Sequence, residues 1–198
     1  MLQTERLTLR RLRADDRDAL SGIFGDPVVM SHVGAGRPLD AAEVTAMLER
    51  IAARLAADGF GQLGIERRSD GRLIGRAGLL PLDPETWQAG SRAELGPGCE
   101  IEIGWTLDRG AWGQGYATEA ARAIRDVARD ALGLTRLVAI IQLGNTRSMR
   151  VAEKLGAVPE RQITTAFGKP AWLYALALDP GGSRSDALLP LGLDLPAP

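Results

Sequence analysis

Two stretches carry residue types that could do chemistry. The first, "RGAWGQGYATE" at 109–119, sets Gly113 and Gly115 at the start of an amphipathic run. The second, "CEIEIGWTL" at 99–107, places Glu100 and Glu102 on alternate positions of a strand-like segment. The first turn of a helix offers backbone N–H groups without a partner inside the helix, and the helix dipole adds positive potential there. Glycine at 113 and 115 keeps side chains off those donors and permits positive φ. The turn therefore suits a diphosphate laid on the amides of Gln114, Gly115, Tyr116, Ala117 and Thr118. The plain alternative is a tight turn that binds nothing.

Two common phosphate motifs fail on particular residues. A P-loop needs Gly-Lys-Ser/Thr, and the chain's two lysines, Lys154 and Lys169, lie far along the sequence. The dinucleotide fingerprint wants Gly or Ala where Thr118 stands, and an acidic residue ending the next strand, where "LVAIIQ" ends in Gln142.

The carboxylates are read by strand alternation. Cys99, Ile101, Ile103, Trp105 and Leu107 share one face; Glu100, Glu102, Gly104 and Thr106 share the other. Two carboxylates on one face of a central strand need water or a partner. Beside a substrate pocket, one could have a raised pKa and accept a proton, directly or through water. Otherwise that face is simply wet. A bulge near Gly104 would upset the count. Cys99 reads as a small buried residue rather than a nucleophile. His32 reads as structural or exposed, with a lesser claim as a base.

Elements must hold these groups in place. "RLTLRRLR" (6–13) alternates like a first strand, and Asp15 and Asp16 favour a helix start after it. The segment 26–38 reads as irregular. "LDAAEVTAMLERIAARLAADG" is a helix capped by Asp40 and stopped by Gly59, with Val44, Met47, Leu48, Ile51 and Leu55 on one face. Two antiparallel strands follow, joined around Ser69-Asp70-Gly71. Residues 81–98 read as a loop with an exposed Trp87, and Asp83, Glu85 and Glu94 could edge a pocket for a cationic substrate. The order then runs strand 99–107, helix 116–132, strand 136–142, helix 145–155, and closing strands near 157–165 and 170–178. "LVAIIQ", apolar on both faces, suits a central strand covered on both sides. The fold expected is a single-domain α/β (α+β) mixed sheet of about seven strands, largely antiparallel, flanked by about four helices.

Composition excludes several classes. At 198 residues, the chain suits one domain. A net charge of −1 with no basic stripe argues against nucleic acid as a partner. No apolar run approaches the length of a membrane span, and "MLQTERLTLRRLRADD" lacks the apolar core of a secretory signal, so a cytoplasmic location away from membranes is expected. One cysteine and one histidine make a multi-cysteine or histidine-rich metal site a poor expectation. "DPGGSRSDALLPLGLDLPAP" reads as a weakly ordered tail over 179–198, beyond a domain at 1–178.

"EIGWTL…WGQGYATEA" followed by "NTRSMRVAEKLGA" resembles the GNAT superfamily of acetyl-coenzyme A-dependent N-acetyltransferases. The resemblance covers roughly 3–178 and leans toward the ribosomal-protein N-terminal (RimJ/RimL-like) branch. The family motif Gln/Arg-x-x-Gly-x-Gly/Ala falls on Trp112, Gly115 and Ala117, with tryptophan replacing the polar residue. The resemblance implies a central splayed pair of parallel strands, 99–107 and 136–142, with the pantetheine arm of coenzyme A in the gap. It implies contacts from Trp105, Thr106, Leu107, Trp112, Gly113 and the amides of 114–118, with Asn145, Arg147 and Ser148 on the far side. Arg109 could meet a phosphate. Glu102, in "EIGW", is the base the motif favours, and Ser148 the donor to the departing thiol. The implied reaction is direct acetyl transfer, without metal, to a primary amine: a protein N-terminus or a small molecule. A monomer or homodimer is expected. The rival from another class is a non-catalytic acyl-coenzyme A binding module.

Overall fold

The computed structural model describes residues 1–179. It begins with strands β1 (Leu2–Gln3) and β2 (Leu7–Arg10), then helices α1 (Arg17–Phe24), α2 (Pro27–Met30) and α3 (Ala41–Asp58). Strands β3 (Gln62–Arg67) and β4 (Arg72–Leu82) form a hairpin, followed by the short helix α4 (Arg92–Leu95). Then come β5 (Glu100–Leu107), α5 (Tyr116–Asp130), β6 (Arg136–Gln142), α6 (Thr146–Leu155), β7 (Val158–Thr164) and β8 (Pro170–Ala177).

All eight strands join one sheet in the order β1-β2-β3-β4-β5-β6-β8-β7. Only β5 and β6 run parallel, because α5 carries the chain back between them. The sheet separates two cores. On one face, Ala120, Ala121, Ile124 and Ala128 of α5 pack on Ile65, Ile74, Leu79 and Ile103. On the other, Leu20 and Phe24 of α1 and Val44, Met47 and Ile51 of α3 pack around Leu73. The apolar spacing along α3 thus selects its buried stripe, as the sequence pattern requires. Asp40 and Glu43 close its N-terminus with reciprocal backbone bonds of 2.8 and 3.0 Å. Gly59, at φ 73°, ends it.

Several expectations are corrected. The sheet has an eighth strand, β1, and two short helices join the four expected ones. The segment 26–38 contains α2, which starts where Asp26 accepts the Val28 N–H at 2.8 Å. Residues 81–98 are not one exposed loop: α4 lies within them, and Trp87 is buried against Leu82, Val138 and Leu173. Its large apolar face covers that end of the sheet, and Trp87 accepts a φ of 59° to do so. The β4–β5 ladder runs from Gly75↔Leu107 to Leu82↔Glu100 without a shift, so Gly104 carries no bulge against β4. The tail expected over 179–198 lies, beyond Asp179, outside the described residues.

Candidate active site

The glycine turn joins β5 to α5. Asp108 Oδ1 accepts the Gly110 N–H at 3.2 Å and starts a short 3-10 turn at Arg109–Ala111. Trp112 donates its indole N–H to the Leu107 carbonyl at 2.9 Å, which pins the chain to the end of β5. Gly113 and Gly115 then take φ of 74° and 84°, a left-handed pair that side chains resist. Around Gly113, a Cβ would meet nothing within 4 Å, so the turn faces open space. Helix α5 starts at Tyr116 with no side-chain cap, whereas Asp40 and Asn145 cap α3 and α6. The opening N–H groups of α5 are therefore left bare of side-chain acceptors.

One residue at this turn escaped the sequence reading. Arg6 Nη1 donates to the Gln114 carbonyl at 2.9 Å, and its guanidinium lies 4.7 Å from the Tyr116 ring centre. Glu119 holds Arg6 by an ion pair of 2.6 Å and is itself fixed by Thr4. A cation thus stands beside the turn, supplied by the residue just before β2 over 108 residues of sequence separation. Arg109, in contrast, is exposed and lies 3.5 Å from Asp26.

The gap beside the turn comes from the parallel pair. Strands β5 and β6 share one registered position, Glu102↔Val138, and beyond it β5 has no paired residue on β6. From Ile103 to Leu107 that edge of β5 has no ladder partner on β6, the Leu107 carbonyl being taken by the Trp112 indole, while its other edge is bonded to β4. Trp105 is half-buried against the α5-side core, Thr106 stands opposite Arg76, and Leu107 is buried. Across the gap, Asn145 Oδ1 accepts the Ser148 N–H at 3.2 Å and caps α6. Ser148 is half-buried, and among the described residues its hydroxyl has no protein partner. The Arg147 guanidinium lies 4.8 Å from the Trp112 ring centre, so α6 and the glycine turn meet at the mouth of the gap.

The two carboxylates of β5 have different surroundings. Glu100 faces Arg136 at 3.3 Å, and Arg136 also binds Glu160 at 2.8 Å. Among the described residues Glu102 has no ion-pair partner within bonding distance. Burial pushes its carboxyl up to about 7, against the opposing effects of an N–H bond from Ile140 and the charge of Arg76. The Leu80, Ile140 and Val138 side chains supply that apolar setting. Glu102 still keeps partial contact with solvent.

Other candidates are placed elsewhere. Asp83 accepts from Thr86, and Glu94 from Ser91, so these carboxylates hold their own loop rather than a cationic pocket. Cys99 is half-buried against the core. His32 is half-buried beside Gly144, in a segment tied down where Gln142 Nε2 donates to the Gly34 carbonyl at 2.8 Å. Arg76, which the sequence reading also passed over, lies on the same sheet face as Glu102, over Phe24 of α1. An arginine alternating into the apolar run "RLIGRAGLL" was the signal available for it.

Comparison with known proteins decides the family. The model of the acetyltransferase (GNAT) domain matches residues 6–158. The chain belongs to the GNAT acetyltransferases. This GNAT chain is 28% identical over 180 residues to the N-acetyltransferase p20 of Bacillus licheniformis, covering 89% of this chain and 94% of that one. The acetyltransferase of Agrobacterium tumefaciens superposes with a TM-score of 0.71 at 32% identity, covering 88% and 92% of the two chains. The aminoglycoside enzyme AAC(6')-Ib, solved with ribostamycin and coenzyme A, superposes with a TM-score of 0.69 at 21% identity, over 87% and 94%. The GNAT domain here is an N-acetyltransferase, with the mixed sheet and parallel pair of its structural neighbours. Among its described residues no helix is long and apolar enough to cross a membrane.

Proposed function

We propose that this enzyme moves an acetyl group from acetyl-coenzyme A to a primary amine in a ternary complex, with Glu102 as the proton acceptor. The observation that carries the reading is the position of Glu102, with its raised pKa, at the point where β5 and β6 part.

Acetyl-coenzyme A would supply an acetyl carbon activated as a thioester. The N–H groups of Gln114, Gly115, Tyr116, Ala117 and Thr118 suit its two bridging phosphates, since glycine leaves them open and no cap occupies them. The unpaired edge of β5 from Ile103 to Leu107 offers donors and acceptors for an amide-bearing arm. Trp105, Thr106, Leu107, Trp112 and Gly113 line that path from β5 to the turn, and Asn145 and Arg147 close it from α6. Both surfaces fit the co-substrate.

Glu102 does the proton work. An acceptor amine is mostly protonated at neutral pH, with a pKa of about 8 to 10.4, and cannot attack in that form. A carboxylate with a pKa near working pH is an efficient base. Glu102 takes the proton, the nitrogen lone pair forms the new C–N bond, and the C–S bond breaks. Ser148, with an unpartnered hydroxyl at the first turn of α6, donates a hydrogen bond to the departing sulfur, which takes its proton from water. No acyl-enzyme is needed, so Cys99 has no part.

The test is thiol release from acetyl-coenzyme A across a panel of amines and N-terminal peptides, with Glu102→Gln and Ser148→Ala alongside. Glu102→Gln should lose about 100-fold or more in kcat while binding coenzyme A normally. Binding without turnover on every acceptor would leave only an acyl-coenzyme A binding module.

A further inference from the structure

The sheet face that carries Glu102 also carries a cation with no ion-pair partner. Arg76 projects from β4, opposite Thr106 of β5. Its guanidinium carbon lies 4.9 Å from the centre of the Phe24 ring, and its Nη1 donates to Gln62 Oε1. Its Nε is buried without a hydrogen-bond partner, while Nη2 has no protein partner and is not sealed from solvent. No carboxylate among the described residues lies within ion-pair distance of it. Glu102 is the one acid close enough to favour its charge, and Arg50 and Arg54 of α3 oppose it.

A half-buried guanidinium without a carboxylate is a costly feature, since a charge removed from water is unfavourable unless an opposite charge compensates it. Among the described residues Arg10, Arg37 and Arg67 each hold a carboxylate, whereas the half-buried Arg54 has no ion pair and donates to the Ala89 carbonyl. Arg76 is held differently. Phe24 fixes the plane of the guanidinium and Gln62 fixes its rotation, which orients the remaining Nη2 donors. Gln62 itself borders a small surface cavity lined by Arg54, Ile51 and Leu80, and Leu80 is the β4 partner of Glu102. The cation and the base therefore share one stretch of sheet, and the arginines of α3 make that stretch positive.

We propose that Arg76, set by Phe24 and Gln62, binds a carboxylate on the acceptor, so that the acceptor is an amine that also carries an acid group. This rests on the acetyl-transfer reading above and narrows it. A guanidinium matches a carboxylate through paired donors, which an amide or a second amine cannot reproduce. Polycationic acceptors would be repelled by Arg50, Arg54 and Arg76 together.

The experiment compares acceptors that differ only in the acid: α-amino acids against their amides, and Glu-initiated against Gln-initiated peptides, with spermidine as the polycation. Thiol release is read for wild type, Arg76→Gln and Arg76→Lys. Wild type should favour each acid over its amide by about tenfold or more in kcat/KM, as expected for a charge-assisted bond. Arg76→Gln should erase that ratio through the KM of the acid, leaving the KM of acetyl-coenzyme A unchanged; Arg76→Lys should retain part of it. Because the ratio is taken on one preparation, partial misfolding cancels. Amides or spermidine used as well as the acids, or a ratio that survives Arg76→Gln, would overturn the proposal while acetyl transfer stands. No thiol release with any acceptor, while coenzyme A still binds, overturns both.

Discussion

Glu102 stands opposite Val138 at the single register position that β5 and β6 share. On neither side of that position is another β5 residue registered with β6. The carboxyl therefore sits at the one joint between the two strands, with the Ile140 N–H favouring its charged form and Leu80 and Val138 as its register partners. The proposed base and the proposed path for the co-substrate would both arise from the same departure from regular pairing.

The raised pKa of Glu102 has a consequence for stability. Its carboxyl moves from 4.5 to about 7 on folding, so the folded state binds more protons than the unfolded state between those values. Stability from this group is present below pH 4.5 and is lost as pH rises through 7. Glu102→Gln should therefore be more stable than wild type at pH 8, by on the order of 2 kcal/mol, and level with it at pH 4. Urea unfolding at the two pH values reads this. Equal stability at both would mean that the carboxyl is not desolvated.

The same group sets the pH profile. With Glu102 as base, kcat/KM should rise with pH through about 7. That limb should vanish in Glu102→Gln, leaving a profile governed by the acceptor amine. An unchanged limb in the variant assigns the base elsewhere.

At Gly115, φ is 84° and a Cβ would come within 3.3 Å of the Arg6 guanidinium. Gly115→Val adds strain of about 1–3 kcal/mol and places methyl groups over the bare N–H groups. Titration calorimetry should show coenzyme A affinity lowered by about 100-fold or more, with the far-ultraviolet spectrum preserved. Wild-type affinity in a folded variant would refute the diphosphate site.

Arg6 supports that turn through the Gln114 carbonyl and brings a positive charge to it. Arg6→Gln should weaken coenzyme A binding by about tenfold, with less effect at high salt, where the charge is screened. The acceptor KM should not move. A change confined to the acceptor would place Arg6 on the wrong side of the sheet.

Asp16 is the stability test away from the site. Arg10 grips it at 2.8 Å and also binds Glu66 at 2.8 Å, with both partners of the Arg10–Asp16 pair nearly buried. Burial alone would raise the Asp16 pKa, but the bonds from Arg10 and the Arg13 N–H bring it below 3.8. Asp16 thus stabilises the fold above pH 3.8, and the contribution is lost as pH falls below that value. Asp16→Asn should cost about 3 kcal/mol at pH 7, because it leaves Arg10 with one acid partner, and less as the pH drops. A denaturant series from pH 7 to 3 checks both.

Much of this was legible in the sequence. The 3.6-residue stripe of α3, its Asp40 cap and Gly59 stop, and the parity that put Glu102 opposite the Ile101 and Ile103 face are local properties of the chain. The glycines at 113 and 115 announced positive φ because few other residues adopt it cheaply. What depended on distant residues was not legible. Trp87 looked exposed because proline and glycine surround it, yet its burial is decided by Val138 and Leu173.

The amino-acid sequence by itself determined the longer elements, the buried stripe of α3 and the glycine-opened start of α5, since each follows from the spacing of neighbouring residues. Only the tertiary structure decided that β5 and β6 meet at one position, and that Glu100 is neutralised by Arg136 while Glu102 is not. Arg6 comes to the glycine turn and Arg76 to the Glu102 face in the same way, because charges separated along the chain acquire their neighbours only when the sheet closes.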